Sequence, residues 1–444
     1  MGRTFPVLAM CWLVVMFDGM DLNLYGAVMP HMMADKELGL TPSTAGTIGS
    51  WTTLGMLIGA LAAGNLTDWA GRRPVVISCT VVFSAGSVLC AVSQGTGAFG
   101  FGRFIAGLGL GGVLPTCLAM VMEFAPAGRA AWTAGALMTS YHVGGMLATG
   151  LGLSLTSGAD WRWVFWAGVV PAFVAVPLLL RHLPESPSVL LARGKREQAD
   201  EVARRFGMER PAIDSAPAWG VRGRWDTVLL LFRASSRWAT LLLWAASFCG
   251  LLLVYGVSTW LPQLMRAAGY GVSSSVSFLL VINAGGIAGM FLAGRAATRF
   301  GPVRVCSLWF VLTAAGSLLL SVRMPLMATY AVVALTGVWL FSAQVMVYAA
   351  VSALYPAGRR AAGLGWTTGV GRLGAVVGPM LGGAVMANGA HQWGFAAFAV
   401  AGLIGALTIA AVPLASGTRA RGPDAEAPHQ PELSAPPAAT HRAR

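Results

Sequence analysis

Five ionisable side chains lie inside long apolar stretches: Asp18, Asp21, Arg103, His142 and Arg372. Asp18 and Asp21 fall in the run from Phe5 to Met29, within Phe17-Asp18-Gly19-Met20-Asp21-Leu22-Asn23-Leu24-Tyr25. Each carboxylate would cost about 2.5–3.5 kcal/mol at the centre of a bilayer. They are three residues apart, so on a helix they share a face, and Tyr25 extends the stripe by one more turn. Buried carboxylates can take up and release a proton when their surroundings change, which suits proton coupling. Arginine binds a carboxylate through two parallel hydrogen bonds, which suits an anionic substrate. Asn283, Gln344 and Tyr348 add neutral polar groups to later apolar runs, and Trp51, Tyr141, Tyr255, Trp260 and Trp366 could stack on an aromatic ring.

These residues need a frame. Hydrophobic residues make up 56% of the 444-residue chain and charged residues only 11%, against about 25% charged in a soluble domain. Such a composition describes a polytopic membrane protein. The 57 glycines suit closely packed membrane helices. Apolar runs predict twelve spans, at 7–29, 45–66, 75–93, 99–122, 132–156, 163–181, 237–261, 275–295, 304–322, 326–352, 362–386 and 394–414. The N-terminal run is too long and too acidic to be a cleaved signal peptide, so it reads as a retained span.

The net charge of +13 does not mark nucleic-acid binding, because the basic residues alternate between loops. With both termini and the long middle segment on one side, that side outweighs the other about sixfold in Lys and Arg. Only Lys36, Arg162, Arg266 and Arg323 fall on the opposite side. The expectation is a multi-pass protein of the cell inner membrane with cytoplasmic termini. Residues 1–181 and 237–414 would form two six-helix bundles, 182–236 a cytoplasmic central loop with a short helix over Glu197–Phe206, and 415–444 a disordered tail. The six cysteines are widely spaced and read as small buried hydrophobes, with no disulfide framework and no metal site.

The halves repeat. Pro126-Ala-Gly-Arg129 recurs as Pro356-Ala-Gly-Arg359, a shift of 230 that also carries Gly64 to Gly294, Gly71 to Gly301, Gly107 to Gly337, Gly144 to Gly374 and Tyr25 to Tyr255. Parallel repeats about an axis normal to the membrane, with a site at their interface, form a transporter architecture. The same shift relates His142 to Arg372, one basic residue per half that could face a shared cavity. The plainer reading is that Asp18, Asp21 and Arg103 form a buried ion-pair network that only holds helices together. On that reading His142, Asn283 and Gln344 bond neighbouring helices and the aromatics are packing. Gly107 and Gly111 lie on the face of Arg103 and permit close approach of another helix.

Gly64-Asn-Leu-Thr-Asp68-Trp-Ala-Gly71-Arg72-Arg73 resembles the signature loop of the major facilitator superfamily, G-x-x-x-D-x-x-G-R-R/K. The resemblance implies the major facilitator fold and a conformational latch at Gly64, Asp68, Gly71, Arg72 and Arg73. Glu123 and Arg129 stand nearby, Glu123 as a gate or a partner for Arg129. The second-half copy, Gly294-Arg-Ala-Ala-Thr298-Arg299-Phe-Gly301, lacks the acid. Asp18-Gly19-Met20-Asp21 resembles the D-G-F/Y-D motif of the aromatic acid:proton symporters, with Met20 in place of the usual aromatic. Arg103-Phe-x-x-Gly-x-Gly-x-Gly-Gly with Pro115, Pro184-Glu185-Ser186-Pro187, Tyr255-Gly-x-x-x-Trp260-Leu-Pro262 and Tyr141-His142-Val-Gly are similar to segments of the same family. In sugar porters an Arg follows the PESP motif, where this chain has Ser188.

The resemblance implies uptake of a small aromatic carboxylate such as benzoate or hydroxybenzoate, driven by protons through Asp18 or Asp21, with no cofactor and no enzymatic activity. The carboxylate would dock on Arg372 with help from His142 or Arg103, and Tyr255 and Asn283 would complete the site. A functional monomer is expected. The alternatives are a proton-antiport exporter, or a symporter of another organic acid or a sugar. Exporters often carry G-P-x-x-G-G in helix five; here it occurs only in helix eleven, at Gly378-Pro379-Met-Leu-Gly382-Gly383. A non-transporting sensor would need a signalling domain, and no phosphate-binding loop for ATP is present.

Overall fold

The computed structural model describes residues 4–126, 129–154, 160–208, 237–355, 357–390 and 393–415, although the side chains of Asp68, Ala130, Ala131, Ala357, Gly358, Arg359, Ala361 and Ala362 fall outside the described set. The repeated Pro-Ala-Gly-Arg segments lie partly outside it. Most of the central loop and almost all of the C-terminal tail lie outside it too.

The first half contains α1 (Phe5–Ala34), α2 (Pro42–Ala70), α3 (Arg72–Ala91), α4 (Thr96–Glu123) and α5 (Ala130–Ser154). Its sixth helix, α6 (Arg162–His182), runs through one 3-10 turn at Ala167–Val169. Two short helices follow, α7 (Pro187–Ala192) and α8 (Arg196–Phe206), the second covering the short helix expected there. The second half contains α9 (Arg237–Ala267), α10 (Val272–Phe300), α11 (Pro302–Leu320), α12 (Leu326–Leu354), α13 (Ala357–Ala387) and α14 (Gly394–Ala415). Among the described residues, eleven of these helices are long and apolar enough to cross a membrane. The twelfth long helix is α5, which packs along α1 and α10 and carries no Asp, Glu, Lys or Arg.

Local chemistry sets the helix ends. Thr41 caps α2 through a reciprocal pair with Thr44, and Pro42 supplies a preset φ at the first position. Gly71 ends α2 at φ +98 and Gly301 ends α10 at φ +83. A side chain is strained at that φ, so both turns call for glycine. The two glycines are 230 residues apart, so the signature loop and its acid-free copy share one backbone path.

The pairing of helices repeats as well. Helix α4 packs between α2 and α3, as α12 packs between α10 and α11; α1 pairs with α5, as α9 pairs with α13. Glycines make the closest approaches. A Cβ on Gly55 or Gly59 would meet the carbonyl oxygens of Phe104 or Leu108, and one on Gly285 or Gly289 would meet those of Ala334 or Val338. These are the same contacts shifted by 230. Gly107 and Gly111 abut the carbonyls of Thr52 and Met56, so the helix they admit beside Arg103 is α2.

Between the halves, α2 faces α13, α5 faces α10, and α1 touches α9 and α10. Ser50 donates to the Val376 carbonyl at 2.6 Å, and Arg266 donates to the Pro30 carbonyl at 3.3 Å. A Cβ on Gly46 would meet Pro379 O and Gly383 Cα, and one on Gly26 would meet the Ser258 carbonyl. All four contacts lie in the part of the molecule away from the helix ends that lead to the termini. The halves are therefore closed on that opposite face. The G-P-x-x-G-G segment of α13 supplies Pro379 and Gly383 to this closure, and Trp260 buttresses it by donating to Pro379 O at 2.8 Å.

Candidate transport site at the interface of the halves

The two aspartates of α1 have different surroundings. Asp21 is fully buried and pairs with Arg103 at 2.7 Å, and it accepts from Ser87 of α3 at 3.3 Å. The Arg103 side chain is 1% exposed. It donates from Nε to Thr52 of α2 at 3.2 Å and lies 5.5 Å from the centroid of the Tyr25 ring. Four helices of the first half thus meet around one ion pair. Asp18, 1% exposed, has an oxygen, Oδ1, with no hydrogen-bond partner. It lies within electrostatic reach of Arg372 across the interface.

His142 and Arg372 occupy related places without sharing a wall. His142 Nδ1 lies 3.2 Å from Asn283 Oδ1 of α10, and its ring meets Phe341 edge-on at 4.6 Å between centroids. Asn283 also donates to Asn23 Oδ1 of α1 at 3.1 Å, and Asn23 donates to the Gly19 carbonyl at 2.8 Å. A polar chain from α5 through α10 to α1 therefore crosses between the halves at mid-membrane. Arg372, by contrast, donates to the Tyr255 hydroxyl at 3.0 Å and reaches Met56 Sδ of α2 at 3.9 Å. Gly286, beside His142, and Met56, beside Arg372, are themselves related by the shift of 230.

A narrow cleft of about 10 Å³ lies between α1, α2, α4, α5 and α9. Tyr25, Tyr141 and Tyr255 wall it, with Thr52, Thr53, Arg103, Ser258 and Thr259 supplying polar atoms. Tyr25 is held in place by donating to the Ala45 carbonyl at 2.8 Å. Arg372 stands behind Tyr255. Of the five aromatics singled out in the sequence, Tyr141 and Tyr255 border this cleft. Trp260 is buried at the opposite-face closure, Trp366 stacks on Trp244 at 5.8 Å, and Trp51 is half exposed on the outer surface. Gln344 donates to Ser247 at 3.1 Å. Sequence reasoning passed over Ser258 and Thr259; their spacing from Tyr255, three and four residues on, would have placed all three on one helical face.

The signature loop closes on the first half's own elements. The Arg72 guanidinium donates to the Glu123 carboxylate and, at 3.2 Å, to the Ala119 carbonyl. Glu123 also accepts from Ser186 Oγ at 2.5 Å and from the Ser188 backbone at 2.7 Å. The partner of Glu123 is therefore Arg72; Arg129 is exposed. Glu185 accepts from the backbone N–H groups of Arg72 at 2.9 Å and Arg73 at 3.2 Å, capping α3. The Arg73 guanidinium donates to the Leu180 carbonyl. A Cβ on Gly71 would collide with the Glu185 carboxylate, a second reason for glycine there. Glu185, Ser186 and Ser188 were visible in the sequence only as part of a loop motif. Gly64 has open space around it, and the side chain of Asp68 lies outside the described residues.

All six cysteines are free, and no metal-binding cluster occurs among the described residues. The chain matches the Major Facilitator Superfamily over residues 11–293 and 280–441. It belongs to that superfamily, and within it to the aromatic acid transporter family. A gentisate transporter of Corynebacterium glutamicum is 35% identical over 92% of this chain and 87% of the relative. The benzoate transport protein of Acinetobacter baylyi is 33% identical over 91% and 88% of the two chains. Among solved structures, the xylose transporter of E. coli in a partially occluded inward open conformation superposes with a TM-score of 0.71 at 18% identity, covering 91% of this chain and 98% of that one. That likeness concerns the fold. As a superfamily member this chain is a multi-pass membrane transporter rather than an enzyme.

Proposed function

We propose that this transporter is a proton-coupled importer of a small aromatic carboxylate of the benzoate or hydroxybenzoate class. It would reside in the cell inner membrane with both termini cytoplasmic and work as a monomer. The observation that carries the reading is the mid-membrane cleft walled by three tyrosines, with Arg372 hydrogen-bonded to one of them. The cleft is narrow in this state; once its walls move apart an aromatic ring can pack against them, and a carboxylate can replace the Tyr255 hydroxyl on the guanidinium with a charge-assisted bond. The names of the gentisate and benzoate relatives support the same substrate class.

Asp18 is the proton site in this reading. A proton can occupy its unpartnered oxygen without breaking an ion pair, whereas Asp21 would first have to release Arg103. Arg103 and Asp21 then act as a fixed support for Tyr25 and the cleft wall. His142 and Asn283 hold the halves together at mid-membrane, and the closure at the opposite face marks a state that opens toward the cytoplasm. The signature loop, with Arg72 on Glu123 and Glu185 on α3, stiffens the cytoplasmic end of the first half as it rocks.

The test is uptake of labelled benzoate into proteoliposomes under an inward proton gradient, with a protonophore control. Accumulation that the protonophore abolishes is the expected result. Asp18→Asn should remove the gradient dependence, and Arg372→Ala should raise KM at least tenfold. Uptake of benzoate and hydroxybenzoates unaffected by the gradient, or unchanged in both variants at normal expression, would overturn the proposal.

A further inference from the structure

Buried hydroxyls in these helices usually close on a carbonyl one turn back. Ser87 donates to Phe83 at 3.2 Å, Thr116 to Gly112 at 2.7 Å and Thr149 to Gly145 at 2.9 Å. Ser258 does not. It is 7% exposed, and its hydroxyl has no hydrogen-bond partner. Of the buried side-chain polar atoms without a partner among the described residues, Ser258 Oγ is the one that borders the cleft. Several neighbouring polar groups are engaged: Tyr25 on Ala45, Thr53 on the Ser50 carbonyl, Arg103 on Asp21, and Tyr255 with Arg372. The backbone of Ser258 is fixed, because Gly26 of α1 packs directly against its carbonyl. A buried polar atom left unpaired is costly and calls for an explanation in the resting structure.

We infer that the Ser258 hydroxyl reads a hydroxyl on the aromatic ring of the substrate, at a position remote from the carboxylate. The inference rests on the proposed function above. Tyr255 and Ser258 lie three residues apart on one face of α9, a rise of about 4.5 Å. A carboxylate held at Arg372 beside Tyr255 would direct its ring along the tyrosine walls toward Ser258. A 3- or 4-hydroxyl would then reach Oγ, whereas a 2-hydroxyl would remain beside the carboxylate. The bound hydroxyl completes the serine, so the cleft favours hydroxylated rings over bare ones. Sites built to hydrogen-bond a substrate hydroxyl discriminate strongly against the analogue that lacks it.

The experiment is equilibrium binding of benzoate and of 2-, 3- and 4-hydroxybenzoate to the purified full-length carrier and to Ser258→Ala. The expected result is a loss of about tenfold in the preference for the 3- or 4-hydroxy acid over benzoate, the size of one net hydrogen bond. The 2-hydroxy to benzoate ratio should not move, and Ser258→Thr, which keeps the hydroxyl, should restore the preference. Equal ratios in wild type and Ser258→Ala would overturn the inference while leaving the proposed function standing. Wild-type carrier that binds none of the four acids would overturn both. Thermal melting supplies a readout without substrate: Ser258→Ala should melt at or above wild type, because the hydroxyl removed is unpaired. A lower melting point would show that the hydroxyl has a partner in the resting protein, which also overturns the inference.

Discussion

Asp21 and Arg103 are worth most as a pair. Both are removed from water, and either alone would be an uncompensated charge among apolar helices. Breaking a buried ion pair by removing one partner typically costs about 3–5 kcal/mol, whereas replacing both partners can be nearly neutral. Asp21→Asn should therefore sharply lower the melting temperature in detergent, and the double change Asp21→Asn with Arg103→Gln should recover part of the loss. Additive losses in that double-mutant cycle would show that the ion pair is not the coupling between α1 and α4. Asp18→Asn should leave the melting temperature close to wild type, because no ion pair is lost. On the proposed function the two carboxylates of one motif divide their roles, one structural and one taking the proton.

At the scale of the helix, the glycines separate into two kinds. Gly59 and Gly289 hold α2 against α4 and α10 against α12 at backbone contact, while Gly64 and Gly294 have nothing within reach of a Cβ. Gly59→Val and Gly289→Val should each destabilise the protein by about 1–3 kcal/mol or more through overpacking. Gly64→Ala and Gly294→Ala should leave thermal stability unchanged. Equal effects at all four positions would contradict the repeated packing.

The opposite-face ends of α1, α3 and α6 meet at Asp35. Asp35 accepts from Trp161 Nε1 at 2.9 Å and lies 3.5 Å from Arg162, which donates to the Ser93 carbonyl at 3.2 Å. The Trp161 indole N–H, the backbone N–H groups of Glu37 and Leu38 and the Arg162 charge hold the Asp35 carboxyl below the usual carboxylate range, against a smaller opposing effect of burial. A carboxyl depressed in the folded state contributes stability above its unfolded pKa, about 3.9, and loses it as pH falls through the lower folded value. Asp35→Asn should therefore melt below wild type at neutral pH, with the difference closing in strong acid. A gap that persists at low pH would mean that shape rather than charge holds this corner.

For the whole molecule, the proposed function makes the closed opposite face the gate that sets which state the carrier occupies. Helix α13 meets α2 at Gly46 and Gly383 with no room for a side chain. Gly383→Leu should wedge the two halves apart on that face and bias the carrier toward the outward-open state. Cysteine labelling of opposite-face positions on α2 should rise while net uptake falls. Unchanged labelling would show that α2 and α13 are not the gate. The closure passes through the G-P-x-x-G-G segment, so its presence in α13 has a packing explanation independent of the direction of transport.

Much of this was fixed by composition and periodicity. Apolar runs of bilayer length determine how many helices form and roughly where they end. The bias of Lys and Arg sets the expected orientation, and a shift of 230 residues in glycines and tyrosines announces two related halves. A glycine that must pack at backbone contact leaves a mark in sequence because no other residue fits. Polar partnerships leave no such mark, because they depend on which helices meet and at what depth. Asp18 and Asp21 look alike along α1, yet only Asp21 comes level with Arg103, through the Gly107 and Gly111 contacts that draw α4 onto α2. His142 and Arg372 match in register, yet each faces a different helix across the interface. Ser258 is one of many serines in the chain. Only the convergence of α1, α2, α5 and α9 leaves its hydroxyl unpaired at the wall of a cleft.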